Sequence, residues 1–155
     1  MKIFFLLTLC AAGLLAGCES MSSRVEERFS PVPPHIRTFA TGKRAVYEAG
    51  QTAVKNVGLL LGHTSLAKGS IEAYAPIRAG DATSDARQTT MQINLAETEA
   101  GETEVALLVS EQQEGSFPGG VSEKPLREHS LYEAYFAALQ QVLQENGALK
   151  TDAKP

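Results

Sequence analysis

The repeat of apolar and polar positions changes period several times along this chain, and each change marks an element. Over residues 42–57, Val46, Ala49, Gly50, Ala53, Val54 and Val57 recur at spacings of three and four, with Lys43, Glu48, Gln51 and Lys55 on the other side. That period lays one apolar stripe along a helix. Gly58 follows the stripe where a C′ glycine ends a helix. Gly50 lies within the stripe, although glycine costs ~1 kcal/mol against alanine inside a helix. Its place on the apolar face suggests close approach to a sheet.

Four strands are then expected. Residues 59–64 are a short apolar run, and residues 68–75 set Ile71, Ala73 and Ala75 against Glu72 and Tyr74. Residues 87–96 alternate Met91, Ile93 and Leu95 with Thr90, Gln92 and Asn94. Residues 102–110 place Val105, Leu107 and Val109 opposite Ala106 and Leu108. Period two with one apolar face describes a half-buried antiparallel sheet. Residues 111–129 carry Gly115, Pro118, Gly119, Gly120 and Pro125 and read as a long irregular connection. A last helix starts at Ser130, where Ser130 and Glu133 fit a capping box. Tyr132, Tyr135, Phe136, Leu139, Val142 and Leu143 form its apolar face, and Asn146-Gly147 stops it. The expected fold class is therefore α+β: a four-stranded antiparallel meander with an N-terminal and a C-terminal helix packed on one face, in the order α-β-β-β-β-α.

The start of the chain has a different character. An apolar run of 3–15 follows Lys2 and ends in Leu15-Ala16-Gly17-Cys18. It is shorter than the ~20 residues of a spanning helix, and Glu19 follows almost at once. The stretch resembles the lipobox of bacterial lipoprotein precursors. The resemblance implies that residues 1–17 are a signal peptide and that Cys18 becomes the lipidated first residue of the mature chain. It also implies a membrane anchor of three acyl chains, where a single chain binds only marginally. In that family an aspartate after the cysteine favours the inner membrane. Here Glu19 and Ser20 follow, so the expected location is the periplasmic side of the outer membrane, with the inner membrane as the alternative.

Residues 18–41 read as a lipidated N-terminus and tether. The segment is polar at first and then stiffens at Pro31-Val32-Pro33-Pro34. Twenty such residues reach at most ~65–70 Å. Residues 42–147 are the expected α+β domain and residues 148–155 a frayed tail.

Composition narrows the chemistry. Cleavage before Cys18 removes Cys10, so no free thiol remains for a disulfide, redox chemistry or a cysteine-held metal. Losing Lys2 leaves 13 Lys and Arg against 18 Asp and Glu, a balance of −5 with His neutral. A mildly acidic chain without a basic cluster repels phosphate backbones, so no nucleic-acid partner is expected.

His35, His63 and His129 are far apart in sequence, and no second histidine lies three or four residues from any of them. Helical metal-ligand spacing is therefore missing, and no metal or cofactor is expected. No Gly-x-Ser-x-Gly elbow occurs, and no phosphate-cradling loop leads into a helix. Glu26-Glu27 falls in the tether, where no pocket shifts a carboxylate. No catalytic residue is named and no enzyme activity is expected. Tyr132, Tyr135 and Phe136 read as core residues, with a ligand groove as the alternative. Residues 111–128 form the candidate partner-binding loop, with Phe117 and Val121 as its anchors.

The element order, the lipobox and the pattern Gly58, Gly69, Ile71-Glu72-Ala73 resemble a group of small bacterial lipoproteins of unknown function. The outline is also similar to the helix-grip domains of the lipoprotein subunit of the outer-membrane β-barrel assembly machine. These resemblances supply no functional residues. They imply a membrane-anchored lipoprotein with a non-enzymatic binding or structural role in the cell envelope, its partner an envelope protein or polymer. The alternatives are a carrier or sensor of a small apolar ligand in a helix-grip-like cavity, and a cell-envelope enzyme.

Overall fold

The computed structural model describes residues 31–77, 86–114 and 121–149. The chain divides into two units, residues 1–32 and 33–155, and the second carries every element described below. Its order is β1 (His35–Phe39), α1 (Lys43–Asn56), β2 (Leu60–Ser65), β3 (Ser70–Tyr74), β4 (Arg87–Glu97), β5 (Thr103–Glu114), β6 (Val121–Pro125) and α2 (Ser130–Glu145).

Six antiparallel strands form one sheet, in the order β1-β5-β4-β3-β2 with β6 also paired to β5. This overturns the expected four-stranded α-β-β-β-β-α class. The first helix does not lead the domain, because β1 precedes it from within the expected tether. The sixth strand comes out of the expected irregular stretch 111–129, which also supplies the last four residues of β5. The order on which the helix-grip outline rests is therefore not the order found.

β5 is long enough to take two partners along one side. β1 pairs with its first part, from Phe39↔Thr103 to His35↔Leu107. β6 pairs with its last part, from Ser110↔Pro125 to Glu114↔Val121. Both added strands hide from a pattern search for physical reasons. β6 is polar and ends in Pro125, which a sheet tolerates only at an edge. In β1 the half-buried positions are His35 and Arg37, while Ile36 points to solvent. Over residues 35–37 alternation runs opposite to hydrophobicity, and only Phe39 at the end of the strand is both apolar and buried.

The core lies on the inner faces of the strands, as period two dictates, and Phe39 of β1 belongs to it. Ile71, Ala73, Met91, Ile93, Leu95, Val105, Leu107 and Val109 are all buried. Registers such as Ile71↔Ile93↔Leu107 set them in rows across the sheet. The helices cover this face. α1 buries Val46, Tyr47, Ala49, Gly50, Ala53 and Val54, and α2 buries Tyr132, Tyr135, Phe136, Leu139, Val142 and Leu143. The stripe of α1 was legible apart from Tyr47, and Val57 is only partly buried.

Both helices end alike. Gly58 and Gly147 have φ of 79° and 67°. Leu59 N–H reaches Val54 C=O at 3.1 Å, and Ala148 N–H reaches Leu143 C=O at 2.9 Å. These are the long bonds of Schellman caps, which satisfy carbonyls a helix end leaves free. Beyond the second cap, Ala148 and Leu149 pack on the core, so the first two residues of the expected frayed tail belong to the domain.

The start of α2 differs from the capping-box expectation. His129 is the N-cap, with an extended backbone, and its Nδ1 accepts from Leu131 N–H at 3.2 Å. Ser130 is already helical, and Glu133 turns to Arg37 instead.

Candidate functional site

Polar and aromatic side chains converge most closely where β1, the end of β6 and the start of α2 meet. Along β5, Leu107 is the last residue paired to β1 and Ser110 the first paired to β6. The chain therefore enters the sheet beside the point where β6 leaves it. Leu126 N–H still bonds to Val109 C=O at 2.9 Å. The next ladder bond is replaced by a side chain. The Tyr132 hydroxyl accepts from Val109 N–H at 3.0 Å and donates to Leu126 C=O at 2.7 Å. One phenol thus ties α2 to both strands and satisfies two backbone groups that would otherwise go unpaired.

β1 docks onto the same turn of α2. The His35 ring stacks on Tyr132 with centroids 3.7 Å apart and planes 11° from parallel. His35 Nε2 lies 3.1 Å from Arg127 C=O, as its donor. Arg37 donates to Glu133 at 2.7 Å and sets its guanidinium 4.7 Å from the centre of the Phe136 ring. Their side chains are 41% and 75% exposed, so the ion pair contributes only ~0–1 kcal/mol. The cation–π contact adds ~0.5–1 kcal/mol at such a site. At the far end of β1, Thr103 Oγ1 donates to Thr41 C=O at 2.8 Å. The arrangement holds a strand in place; it does not line up a nucleophile, a base and an oxyanion hole.

The histidines have separate tasks. His35 stacks in the seam and His129 caps α2. His63 is exposed on β2, at the opposite edge of the sheet. Among the described residues no group of three or more His, Cys, Asp and Glu could hold a metal ion. A hollow at the start of α1 is lined by Gly42, Lys43, Arg44, Ala45, Glu48 and Glu97. Two cations and two carboxylates share it, so its charge favours neither sign of ligand.

The interior is tightly packed around Gly50. A methyl group added at Gly50 would lie 3.0 Å from the Tyr135 hydroxyl and 3.1 Å from Ile71 Cδ1, so α1 approaches the sheet closely at that glycine. The Tyr135 hydroxyl is buried there with no hydrogen-bond partner among the described residues. Burial pushes its pKa up from the ordinary 10.0, because the low-dielectric surroundings disfavour the phenolate. The groove alternative for Tyr132, Tyr135 and Phe136 gains no support, since all three are buried in the core.

Cys18 and Phe117 lie outside the described residues. Val121 opens β6 opposite Glu114, so this half of the candidate loop is strand. Sequence reasoning missed His35 and Arg37, which it left in the tether. Their only signal was an alternation too short to separate from the proline-rich segment before it.

No protein-family model and no curated protein matches this chain. Among solved structures it is similar to a DUF4468 family protein from Bacteroides ovatus ATCC 8483 at 13% identity, covering 84% of this chain and 98% of that one, with a TM-score of 0.33. A likeness at that level carries no argument about fold or function.

Proposed function

We propose that this chain is a lipoprotein anchored through Cys18, with a non-enzymatic binding or structural role in the cell envelope, on the periplasmic side of the outer membrane. The observation that carries the reading is Leu15-Ala16-Gly17-Cys18 closing a short apolar run. No described helix is long and apolar enough to cross a membrane. With β1 starting at His35, the residues from Cys18 to Pro34 set the reach of the domain, ~55–60 Å if fully extended.

The direct test is metabolic labelling with a palmitate analogue. The wild type should take up label and Cys18→Ala should not, with unprocessed precursor accumulating. Label on the C18A protein overturns the anchor. Fractionation that finds only inner membrane overturns the sorting inference alone. Co-purification of the lipidated protein from its own membrane tests the binding role. Phe117→Ala and Val121→Ala then ask whether the β5–β6 hairpin makes the contact.

A further inference from the structure

The two edges of the sheet are built differently. The β1/β6 edge carries Arg37, Glu123, Lys124 and Pro125, with Pro34 just ahead of it. Charges and prolines of this kind keep an open edge from pairing with another chain. The β2 edge is Leu60-Leu61-Gly62-His63-Thr64-Ser65, without a formal charge or a proline. Among the described residues β3 is its one neighbour in the sheet. Leu60 and Tyr74, a cross-strand pair on the uncovered face, are 51% and 37% exposed, and Ile77, three residues on, is 66% exposed.

β2 also contains a bulge. Leu60 and Leu61 pair with Tyr74 and Ala73, whereas Thr64 and Ser65 pair with Ile71 and Ser70. Gly62 and His63 therefore share Glu72 as their opposite residue. Leu60 and Ser65 belong to the uncovered face and Leu61 and Thr64 to the covered one, as their partners show. Directly opposed residues in an antiparallel pair must share a face. In a regular strand, residues five apart lie on opposite faces, so a six-residue strand cannot pair end to end with its own copy. The extra residue in the bulge removes that conflict.

We infer that β2 is a homodimerisation edge, pairing antiparallel with β2 of a second copy about a two-fold axis between Gly62 and His63. Leu60 then faces Ser65 of the partner subunit, Leu61 faces Thr64 of the partner subunit, and Gly62 faces His63 of the partner subunit. Every pair matches in face. A two-fold axis sets any charge near it against its own copy, and this strand carries no Asp, Glu, Lys or Arg to repel. The two sheets join into one of twelve strands. The bulge that guards an edge against unrelated strands makes this one complementary to itself. The inference does not depend on the lipid anchor.

The test is native mass spectrometry of the full chain, released from detergent at high micromolar concentration. His63 is exposed and next to the axis, so His63→Lys and His63→Glu should fold normally, with unchanged circular dichroism spectra. Each should weaken the dimer by ~10-fold or more, because like charges are set together. Mixing H63K with H63E should restore a heterodimer, which misfolding cannot explain. A monomeric wild type overturns the inference, as does a dimer that H63K leaves intact. Recovery of β2 paired to an extended segment of another protein, with no homodimer, overturns it as well.

Discussion

α2 presents two tyrosines to the interior, three residues apart, and their surroundings could hardly differ more. Tyr132 sits in the seam where β1, β5 and β6 meet, and its hydroxyl completes the bonding of two strands. Tyr135 sits against Gly50, where its hydroxyl has no described partner. The first region is a polar joint that assembles the edge of the sheet. The second is a tight apolar contact that carries one polar atom as a burden. Burial alone does not tell what a core tyrosine contributes; the bonds of its oxygen do.

The largest effect should come from a residue that serves both regions. Phe136 packs edge-on against Tyr135 at 5.8 Å and lies under Arg37. Phe136→Ala should cost ~3–5 kcal/mol in denaturant melts. A loss below ~0.5 kcal/mol, the range of a surface change, means the ring is not part of the core.

Tyr132→Phe should come next. It strands the Val109 N–H and the Leu126 C=O, at ~1–3 kcal/mol for an unsatisfied buried group. Hydrogen exchange should show faster exchange at Val109 and along β6 than along β3. If exchange rises equally everywhere, the phenol acts on the whole core and the seam is not a separate joint.

Tyr135→Phe should move the other way, stabilising by ~1 kcal/mol, because it removes a buried hydroxyl without breaking a bond. It should also relieve Gly50→Ala. Alone, that substitution presses a methyl against Tyr135 and Ile71; beside Phe at 135 the gain in helix propensity, ~1 kcal/mol, can show. A double-mutant cycle reads the coupling. The pH dependence has a definite sign. The folded pKa of Tyr135 is raised above 10.0, so above pH ~10 the unfolded chain binds fewer protons than the folded one. Stability falls as pH rises past that point, by up to ~1.4 kcal/mol per pH unit from this group. The Phe variant should lose less stability there.

The smallest effect belongs to the exposed pair at the seam. A double-mutant cycle on Arg37 and Glu133 should give ~0.2–1 kcal/mol, shrinking in high salt. A larger coupling would make the ion pair, rather than the stacked rings and the Tyr132 hydroxyl, the main tie of β1.

Much of the domain was legible because its signals are local. The stripe of α1, the alternation in β3, β4 and the first part of β5, and the glycine stops of both helices need only neighbours three, four or two residues away. What escaped depends on residues far along the chain. β1 became visible only when α2 supplied rings for His35 and Arg37 to lie on, 97 and 99 residues away in sequence for the stacked pair and the cation–π pair. β6 became visible only when β5 proved long enough for two partners. Ser130 and Glu133 satisfied a local capping pattern, yet Arg37 took Glu133 and His129 took the cap.

By itself, then, the sequence determined where the helices and the inner strands run, because hydrophobic period is a property of consecutive residues. It also carries Leu15-Ala16-Gly17-Cys18, the local stretch on which the proposed lipid anchor rests. The tertiary structure alone decided the strand order, the six-stranded sheet, the bulge that sets the faces of β2, and the opposite fates of Tyr132 and Tyr135. Those features depend on which backbone groups and rings meet across the chain, and no short window of sequence contains both sides of such a meeting.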